Sequence, residues 1–246
     1  MNNLQENERL DDLGRKGYKI IQNTKIFCFG IDAVLLAAFA RMGKEDSAID
    51  LGTGNGIIPM LMEARYGGSH FYGLEIQDIN VEMARRSVIM NGLEEKVEIV
   101  QGDIKEASKL LGAGKYDVVT SNPPYMNENH GLTNPDSHKA IARHEILCSL
   151  DDVVREASRL LKVNGHFYMI HRPHRLVEIL AKLTEYKLEP KRIRFVHPFV
   201  DKEANMVLID AIKGARSMVK LEPPLVVYKE QGIYTQELWD IHYKED

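Results

Sequence analysis

From residue 47 onward, short apolar runs alternate with longer amphipathic stretches. Runs such as Ser47–Leu51 and His70–Glu75 are rich in residues that favour buried strands, whereas Ile57–Tyr66 and Ile79–Asn91 have the spacing of helices. Strands that alternate with helices predict a parallel sheet built from βαβ units. The further predicted strands are Val97–Gln101, Tyr116–Thr120, His166–His171, Arg192–His197 and Asn205–Lys213, and the further helices are Leu150–Leu161 and Arg175–Tyr186.

The last two predicted strands follow each other without a helix between them, which predicts an antiparallel terminal hairpin. Seven strands with this ending favour an α/β fold with a doubly wound, mostly parallel, Rossmann-like sheet. We predict a single domain over 1–246, whose catalytic core spans 46–213. Residues 1–45 form an N-terminal extension, and 214–246 form a tail without clear periodicity, which the pattern does not place.

Within the extension, the first 15 residues form a polar lead-in. Residues 18–29 alternate between apolar and polar positions, which is typical of a hairpin. The apolar stretch Ala33–Arg41 predicts a helix with Asp32 as its N-cap residue.

Composition narrows the class of protein only a little. The chain has 246 residues, of which 44% are hydrophobic and 28% charged, as in ordinary globular proteins. The net charge of −4 does not indicate a nucleic-acid binder, but it leaves room for a local basic patch. No apolar run approaches the ~20 residues that span a bilayer, and the polar N-terminus does not resemble a secretory signal. We therefore predict a cytoplasmic protein without membrane association.

A glycine-rich turn follows the first strand of the predicted core. The run Asp50-Leu51-Gly52-Thr53-Gly54-Asn55-Gly56 leads directly into a predicted helix. Glycines allow positive φ and close approach of a ligand to the main chain, and the helix N-terminus behind the turn attracts anions. The GxGxG spacing departs from the GxGxxG/A of dinucleotide-binding folds, because Ile57 stands at the last position. A ligand carboxylate, such as that of S-adenosylmethionine (SAM), suits this turn, and Asp50 could bind an ammonium group or brace the loop.

The next two strands also end in acidic residues. Glu75 ends the second strand, where a carboxylate could accept both ribose hydroxyls of an adenosine. Asp103 follows the third strand and could accept the adenine amino group, with Ile76 and Ile104 packing against the ring faces. The set predicted to bind the cofactor is Asp50, Gly52, Thr53, Gly54, Gly56, Glu75, Ile76, Asp103, Ile104 and Asn122.

The fourth strand is followed by Asn122-Pro123-Pro124-Tyr125, the most informative motif of the chain. The Asn122 side-chain oxygen and the Pro123 carbonyl can each accept one N–H of a planar amine, which holds the nitrogen in place and stabilises positive charge developing on it. The two prolines fix the direction of that carbonyl, and Tyr125 can stack on a flipped base. We predict methyl transfer from SAM to a planar nitrogen, with Asn122, Pro123, Pro124 and Tyr125 as catalytic residues.

Together, the DLGTGNG and NPPY motifs resemble those of the class I, amino-methylating SAM-dependent methyltransferases. Two further segments, FGIDAVLLA (residues 29–37) and GLEIQ (residues 73–77), are similar to those of the bacterial tRNA(Val) adenine-37 N6-methyltransferase group. The resemblance covers about residues 14–213. It implies the class I methyltransferase fold, SAM as the cofactor, and methylation of the N6 amine of a tRNA adenine.

Three rival functions stay open. A release-factor glutamine methyltransferase also uses NPPY but carries a helical N-terminal domain, for which the 49 residues before Asp50 are too few. A ribosomal RNA guanine-N2 methyltransferase is the second rival, and the FGIDAVLLA segment is the only part of the sequence that argues against it. The non-enzyme alternative is an RNA-binding module that keeps the fold without turnover, against which the intact Asn122 and glycine turn argue.

Basic residues predict where tRNA could bind, although each is also explained as a solvated surface charge. Three clusters could neutralise phosphates. They are Arg15, Lys16 and Lys19; Arg172, His174 and Arg175; and Lys191, Arg192 and Arg194.

Histidines follow the NPPY motif at positions 130, 138 and 144, with spacings that match no standard zinc site, so we predict no metal. The sequence does not indicate an oligomeric state.

Overall fold

A computed structural model describes residues 4–26, 29–123 and 148–244 of the chain. Two antiparallel strands open it, β1 (Glu8–Asp12) and β2 (Lys19–Asn23). Nine strands of the described residues form one central sheet. They are β3 (Ser47–Leu51), β4 (His70–Glu75), β5 (Val97–Gln101), β6 (Tyr116–Ser121), β7 (Leu161–His171), β8 (Leu188–His197), β9 (Met206–Lys213), β10 (Lys220–Leu221) and β11 (Leu225–Val226).

Helices separate most of these strands. The described helices are α1 (Ile31–Phe39), α2 (Ile57–Tyr66), α3 (Asp78–Met90), α4 (Ala107–Leu111), α5 (Leu150–Leu160), α6 (Leu176–Glu185) and α7 (Gln236–Tyr243). A small hairpin, β12 (Tyr228–Glu230) with β13 (Ile233–Tyr234), precedes α7.

The order of the seven core strands across the sheet is β5-β4-β3-β6-β7-β9-β8. Pairs from β5 to β7 are parallel, whereas β9 runs antiparallel to both β7 and β8. The sequence therefore predicted the α/β class, the seven strands and the terminal hairpin correctly. Strand order reverses between β3 and β6, and at such a switch point ligands bind outside the carboxyl ends of the strands.

Alternate residues of the core strands enter two apolar layers. Ala48 and Val118 face one layer, with α1, α2 and α3, whereas Ile49 and Val119 face the other, with α5 and α6. All four side chains are at most 3% exposed, so both faces of the sheet are covered by helices. This sandwich leaves the strand ends as the places where polar side chains can meet a ligand.

The N-terminal extension differs in detail from its prediction. The hairpin spans residues 8–23 rather than 18–29, so a third of the expected polar lead-in is strand β1. Four of the five residues of β1 are charged, so its sequence shows no alternation of apolar and polar positions that would predict a strand. Helix α1 begins at Ile31 with Gly30 as N-cap, so Asp32 lies inside the first turn and is not the cap.

The tail after residue 213 joins the same structure. Strands β10 and β11 pair in parallel with β8, and Leu238 of α7 is fully buried in the layer of α1 and α2. The Arg15 guanidinium donates to the Ile241 carbonyl at 3.1 Å and is nearly inaccessible, since the residue is 4% exposed. Arg65, in the last turn of α2, donates to the same carbonyl. Hydrogen bonds therefore join the two terminal segments.

Among residues 4–26, 29–123 and 148–244, every helix is too short or too polar to cross a lipid bilayer.

Candidate active site

The glycine turn between β3 and α2 adopts a backbone that only glycine accommodates easily. Gly52, Gly54 and Gly56 have φ values of 76°, 56° and 83°. A Cβ added to Gly54 would meet no atom within 4 Å, and one added to Gly52 would meet only Ile104, at 3.7 Å. The turn therefore leaves space beside its main chain, as a ligand cradle requires.

Backbone amides tie this turn to the end of the neighbouring strand β4. The amides of Gly52 and Thr53 both donate to the Leu74 carbonyl, at 2.9 and 3.0 Å. The Gly54 amide donates to Glu75 Oε2 and the Gln77 amide to Glu75 Oε1, each at 2.9 Å. Glu75, which is 5% exposed, thus anchors the loop, and each of its oxygens keeps a second lone pair for a ligand hydroxyl. The ribose role of Glu75 stays a prediction.

Asp50 lies under the turn and is fully buried. Its Oδ1 accepts a hydrogen bond of 2.7 Å from the Thr120 hydroxyl of the neighbouring strand β6. Burial raises the pKa of Asp50 to about 6, and the nearby Glu75 carboxylate acts in the same direction, whereas the Thr120 and Thr53 hydroxyls oppose the shift. Asp50 therefore braces the loop from below.

Two residues that shape this turn escaped the sequence prediction. Gly73, in the interior of β4, pairs with Asp50 in the sheet. A Cβ there would lie 2.7 Å from the Thr53 side chain, so only glycine lets Thr53 pack across the strand. A glycine inside a strand is itself a signal of close approach. Thr120 gave no such signal, because a threonine in a strand is ordinary.

The predicted adenine contacts lie at the ends of β4 and β5. Asp103 is partly exposed, and its Oδ1 accepts from the Lys105 amide at 2.9 Å, which starts a short 3-10 turn over Ile104–Glu106. Ile76 is 38% exposed although it is apolar, and Ile104 lies beside Gly52. Two isoleucines at the ends of adjacent strands, beside the glycine turn, suit the faces of a flat ring.

Asn122 and Pro123 follow directly after β6, and both are partly buried. In the sheet Ser121 pairs with Leu51, so Asn122 leaves β6 beside the point where Gly52 leaves β3. Parallel neighbours lie ~4.8 Å apart, and the amide and the cofactor turn therefore start from adjacent positions. Pro124 and Tyr125 lie outside the described residues.

His171, which ends β7, is a buried group beside the motif that the sequence did not single out. It lines a small cavity together with Pro123 and Arg175. Burial, followed by the charge of Arg175, lowers its pKa to about 4, so the imidazole is neutral at physiological pH. Its Nδ1 accepts from the Arg172 amide at 2.7 Å.

The basic cluster Arg172, His174 and Arg175 also lies at this edge of the sheet, directly after β7. His174 is exposed. Arg172 donates to the Asn205 carbonyl at 2.9 Å, and Arg175 pairs with Glu178 at 2.7 Å. This cluster therefore adjoins the Asn122 strand.

The other two basic clusters have internal partners. Arg15 holds the end of α7, and both Lys16 and Lys19 form ion pairs with nearby carboxylates. Arg192 is bound between Asp210 and Glu222, at 2.8 and 3.2 Å. Arg194 pairs with Glu237, and the Lys191 ammonium donates to the Arg216 carbonyl. Arg15 is buried and therefore lies away from solvent, whereas the phosphate contacts of Lys16, Lys191, Arg192 and Arg194 stay a prediction.

Among the described residues, no cluster of three or more His, Cys, Asp or Glu side chains has metal-binding geometry. The histidines at 130, 138 and 144 lie outside those residues.

The fold and the site define a class I methyltransferase. The glycine cradle, the buried acid at its base, the carboxylate after β4 and the two isoleucines fit a nucleoside that carries a carboxylate and an ammonium group. A family model, described as "Methyltransferase domain", matches residues 43–215, and the chain belongs to this family. Membership confirms the predicted enzyme class, and with it SAM as the cofactor.

A curated relative confirms the narrower resemblance. A Porphyromonas gingivalis protein named tRNA1(Val) (adenine(37)-N6)-methyltransferase is 29% identical over 231 residues, which cover 90% of this chain and 89% of the relative.

Solved structures share the fold. A predicted O-methyltransferase from Agrobacterium tumefaciens has a TM-score of 0.69 at 25% identity, covering 86% of this chain and 95% of its own. Geranyl diphosphate C-methyltransferase from Streptomyces coelicolor A3(2), solved with S-adenosyl-L-homocysteine, has a TM-score of 0.56 at 16% identity, covering 74% and 76%. The fold prediction is thereby confirmed.

Proposed function

We propose that the protein transfers a methyl group from SAM to the N6 amine of an adenine in tRNA, at position 37 of tRNA1(Val) by analogy with its curated relatives. The observation that carries this proposal is the pairing of Leu51 with Ser121, which starts Asn122 and the glycine turn from adjacent points of the sheet. The relatives' names supply the acceptor.

The residues divide the work between the two reactants. Gly52, Gly54, Glu75 and Asp103 hold the cofactor, which when bound supplies an electrophilic methyl group. The Asn122 side-chain oxygen and the Pro123 carbonyl accept the two N–H groups of the adenine amine. Those acceptors direct the nitrogen lone pair away from the ring and stabilise the positive charge that develops on the nitrogen.

Asn122 favours nitrogen as the atom that receives the methyl group. The Agrobacterium protein, in contrast, is described as an O-methyltransferase, which methylates oxygen. A hydroxyl has one proton to donate, whereas an exocyclic amine has two, which matches the side-chain and main-chain acceptors of Asn122 and Pro123. No strong base is required before transfer, because the methylated ammonium loses its proton readily to water. His171, with its low pKa, stays neutral beside the motif and adds no positive charge there.

We further propose that tRNA approaches over the carboxyl ends of β7 and β8. Arg172 and His174 lie there beside the Asn122 strand, and Lys202, in the turn between β8 and β9, is exposed. Positive charges at this edge attract the phosphates of tRNA independently of its sequence. A tRNA substrate also implies that the enzyme acts in the cytoplasm.

Mass spectrometry of tRNA nucleosides from cells with and without the gene tests the acceptor. Loss of N6-methyladenosine from tRNA supports the proposal. Loss of methylglutamine from a release factor, or of N2-methylguanosine from ribosomal RNA, with tRNA unaltered, refutes it. In vitro, Asn122→Ala should abolish transfer while SAM affinity stays within about threefold, because the amide acts on the acceptor.

The docking edge is tested by Arg172→Ala, with Lys44→Ala as the matched control. Lys44 is an exposed cation before β3, at the opposite edge of the sheet. Arg172→Ala should raise KM for tRNA several-fold and reduce the salt dependence of binding by about one phosphate contact. Equal effects of the two substitutions would contradict this docking edge.

A further inference from the structure

Side-chain hydroxyls join the two strands that carry the cofactor turn and the catalytic amide. The Thr120 hydroxyl donates to Asp50 Oδ1 at 2.7 Å, and the Ser121 hydroxyl donates to the Leu51 carbonyl at 3.0 Å. Both Thr120 and Ser121 are 0% exposed. These bonds are additional to the main-chain ladder between β3 and β6.

The two bonds lie on opposite faces of the sheet, because successive side chains of a strand alternate. Thr120 reaches Asp50 on the face covered by α1 and α2, and Ser121 lies on the face covered by α5. The pair therefore holds the end of β3 from both sides.

The position of the pair connects it with the chemistry. Leu51 is the last residue of β3 and Ser121 the last of β6, so Gly52 and Asn122 each leave the sheet one residue beyond a hydroxyl bond. Within the part of the chain that the structure describes, the ladder between β3 and β6 ends at that pair. A displacement at the end of either strand would therefore move the amide relative to the cofactor turn.

We propose that Thr120 and Ser121 are positioning residues that fix the Asn122 amide relative to the glycine turn. This inference rests on the proposed use of Asn122 in methyl transfer. Positioning matters because a misplacement of about 1 Å costs on the order of 100-fold in rate.

The same strand pair offers a matched control at its other end. The Ser47 hydroxyl at the start of β3 lies 3.3 Å from Asp117 Oδ2 and 3.4 Å from the Lys115 carbonyl, and so links β3 to the beginning of β6. It stands four residues before Leu51, or roughly 13 Å along the strand. Ser47→Ala therefore removes a cross-strand hydroxyl without touching the end that bears the site.

Ser121→Ala is the primary variant, because its acceptor is an uncharged carbonyl. We expect kcat for tRNA methylation to fall 10- to 100-fold, while KM for SAM stays within about threefold. Ser47→Ala should keep kcat within about twofold. A second pair tests the other face: Thr120→Val should lower kcat, and Thr120→Ser, which keeps the hydroxyl, should recover most of it.

A readout independent of turnover separates this inference from the proposed function. The ¹⁵N side-chain amide signal of Asn122, assigned through its absence in Asn122→Asp, should shift or broaden in Ser121→Ala saturated with S-adenosylhomocysteine. It should be unchanged in Ser47→Ala. An unaltered signal together with full kcat in Ser121→Ala, or equal losses in Ser121→Ala and Ser47→Ala, overturns the positioning role. If the wild-type enzyme methylates no tRNA, the proposed function fails and the amide signal alone decides the inference.

Discussion

Replacing Asp50 by asparagine should make the protein more stable at neutral pH and leave it unchanged in strongly acidic solution. The carboxyl group is fully buried, and burial raises its pKa from 3.8 to about 6. Each pKa unit corresponds to 1.36 kcal/mol, so a shift of roughly two units is worth about 3 kcal/mol. Asparagine has nearly the same shape, and its oxygen can still accept from Thr120.

The direction of the pH dependence follows from linkage. A raised pKa means that the folded state binds the Asp50 proton more tightly than the unfolded state does. The associated stability is complete below pH 3.8 and is lost as pH rises to about 6. Asp50→Asn carries no such loss, so its advantage over the wild type should grow from near zero at about pH 3 to about 3 kcal/mol at pH 7.

Urea unfolding of both proteins without cofactor, followed by far-ultraviolet circular dichroism at several pH values, measures this difference. In thermal melts of the same two proteins, the melting temperature of the variant should be higher by about 6–12 °C at pH 7, because 1 kcal/mol corresponds to about 2–4 °C for a chain of this size. A variant that is no more stable at pH 7, or a difference that does not change with pH, would refute the reasoning. We expect weaker SAM binding in the same variant, because asparagine lacks the negative charge that could bind the ammonium group of SAM.

Three further substitutions probe the site. Glu75→Ala should weaken SAM binding at least tenfold in calorimetry, because it removes the acceptor for two loop amides as well as the predicted ribose contact; unchanged affinity would contradict both. Gly73→Ala should lower the free energy of unfolding by about 1–3 kcal/mol through its clash with Thr53, and adding Thr53→Ala should restore part of that loss. If Thr53→Ala restores none of the lost free energy of unfolding, the added methyl group clashes with a residue other than Thr53. Because the folded pKa of His171 is lowered from 6.5 to about 4, its stabilising effect is present above pH 6.5 and lost as pH falls to 4. The stability advantage of the wild type over His171→Gln should therefore shrink by about 3 kcal/mol between pH 7 and pH 4, and a constant difference in urea unfolding would argue against a neutral buried imidazole.

The sequence predicted the strands of the core closely, because each combines a short apolar run with a turn signal that ends it. Glu75 and Asn122 were predicted as site residues because they stand at or directly after the ends of such runs, and their roles stay predictions. Helix α4 was missed because five residues are too few to show a 3.6-residue period. The tail strands β10 and β11 were missed because each has only two residues.

Contacts between distant parts of the chain were beyond the pattern. Arg192 is one example, because nothing local in the sequence shows that Asp210 and Glu222 surround its guanidinium. The bond from Thr120 to Asp50 likewise depends on strand order, which places two segments 70 residues apart side by side.

The hydrogen bond between Arg15 and the Ile241 carbonyl has a consequence for how the chain matures. The two residues are 226 positions apart, so a guanidinium made early in synthesis finds its acceptor only when helix α7 has left the ribosome. Until then, the N-terminal hairpin lacks the contacts that bury this cation. The nascent enzyme should accordingly acquire protease resistance in residues 8–23 late, once α7 has emerged, and a stalled chain that ends before α7 should be cleaved near Arg15.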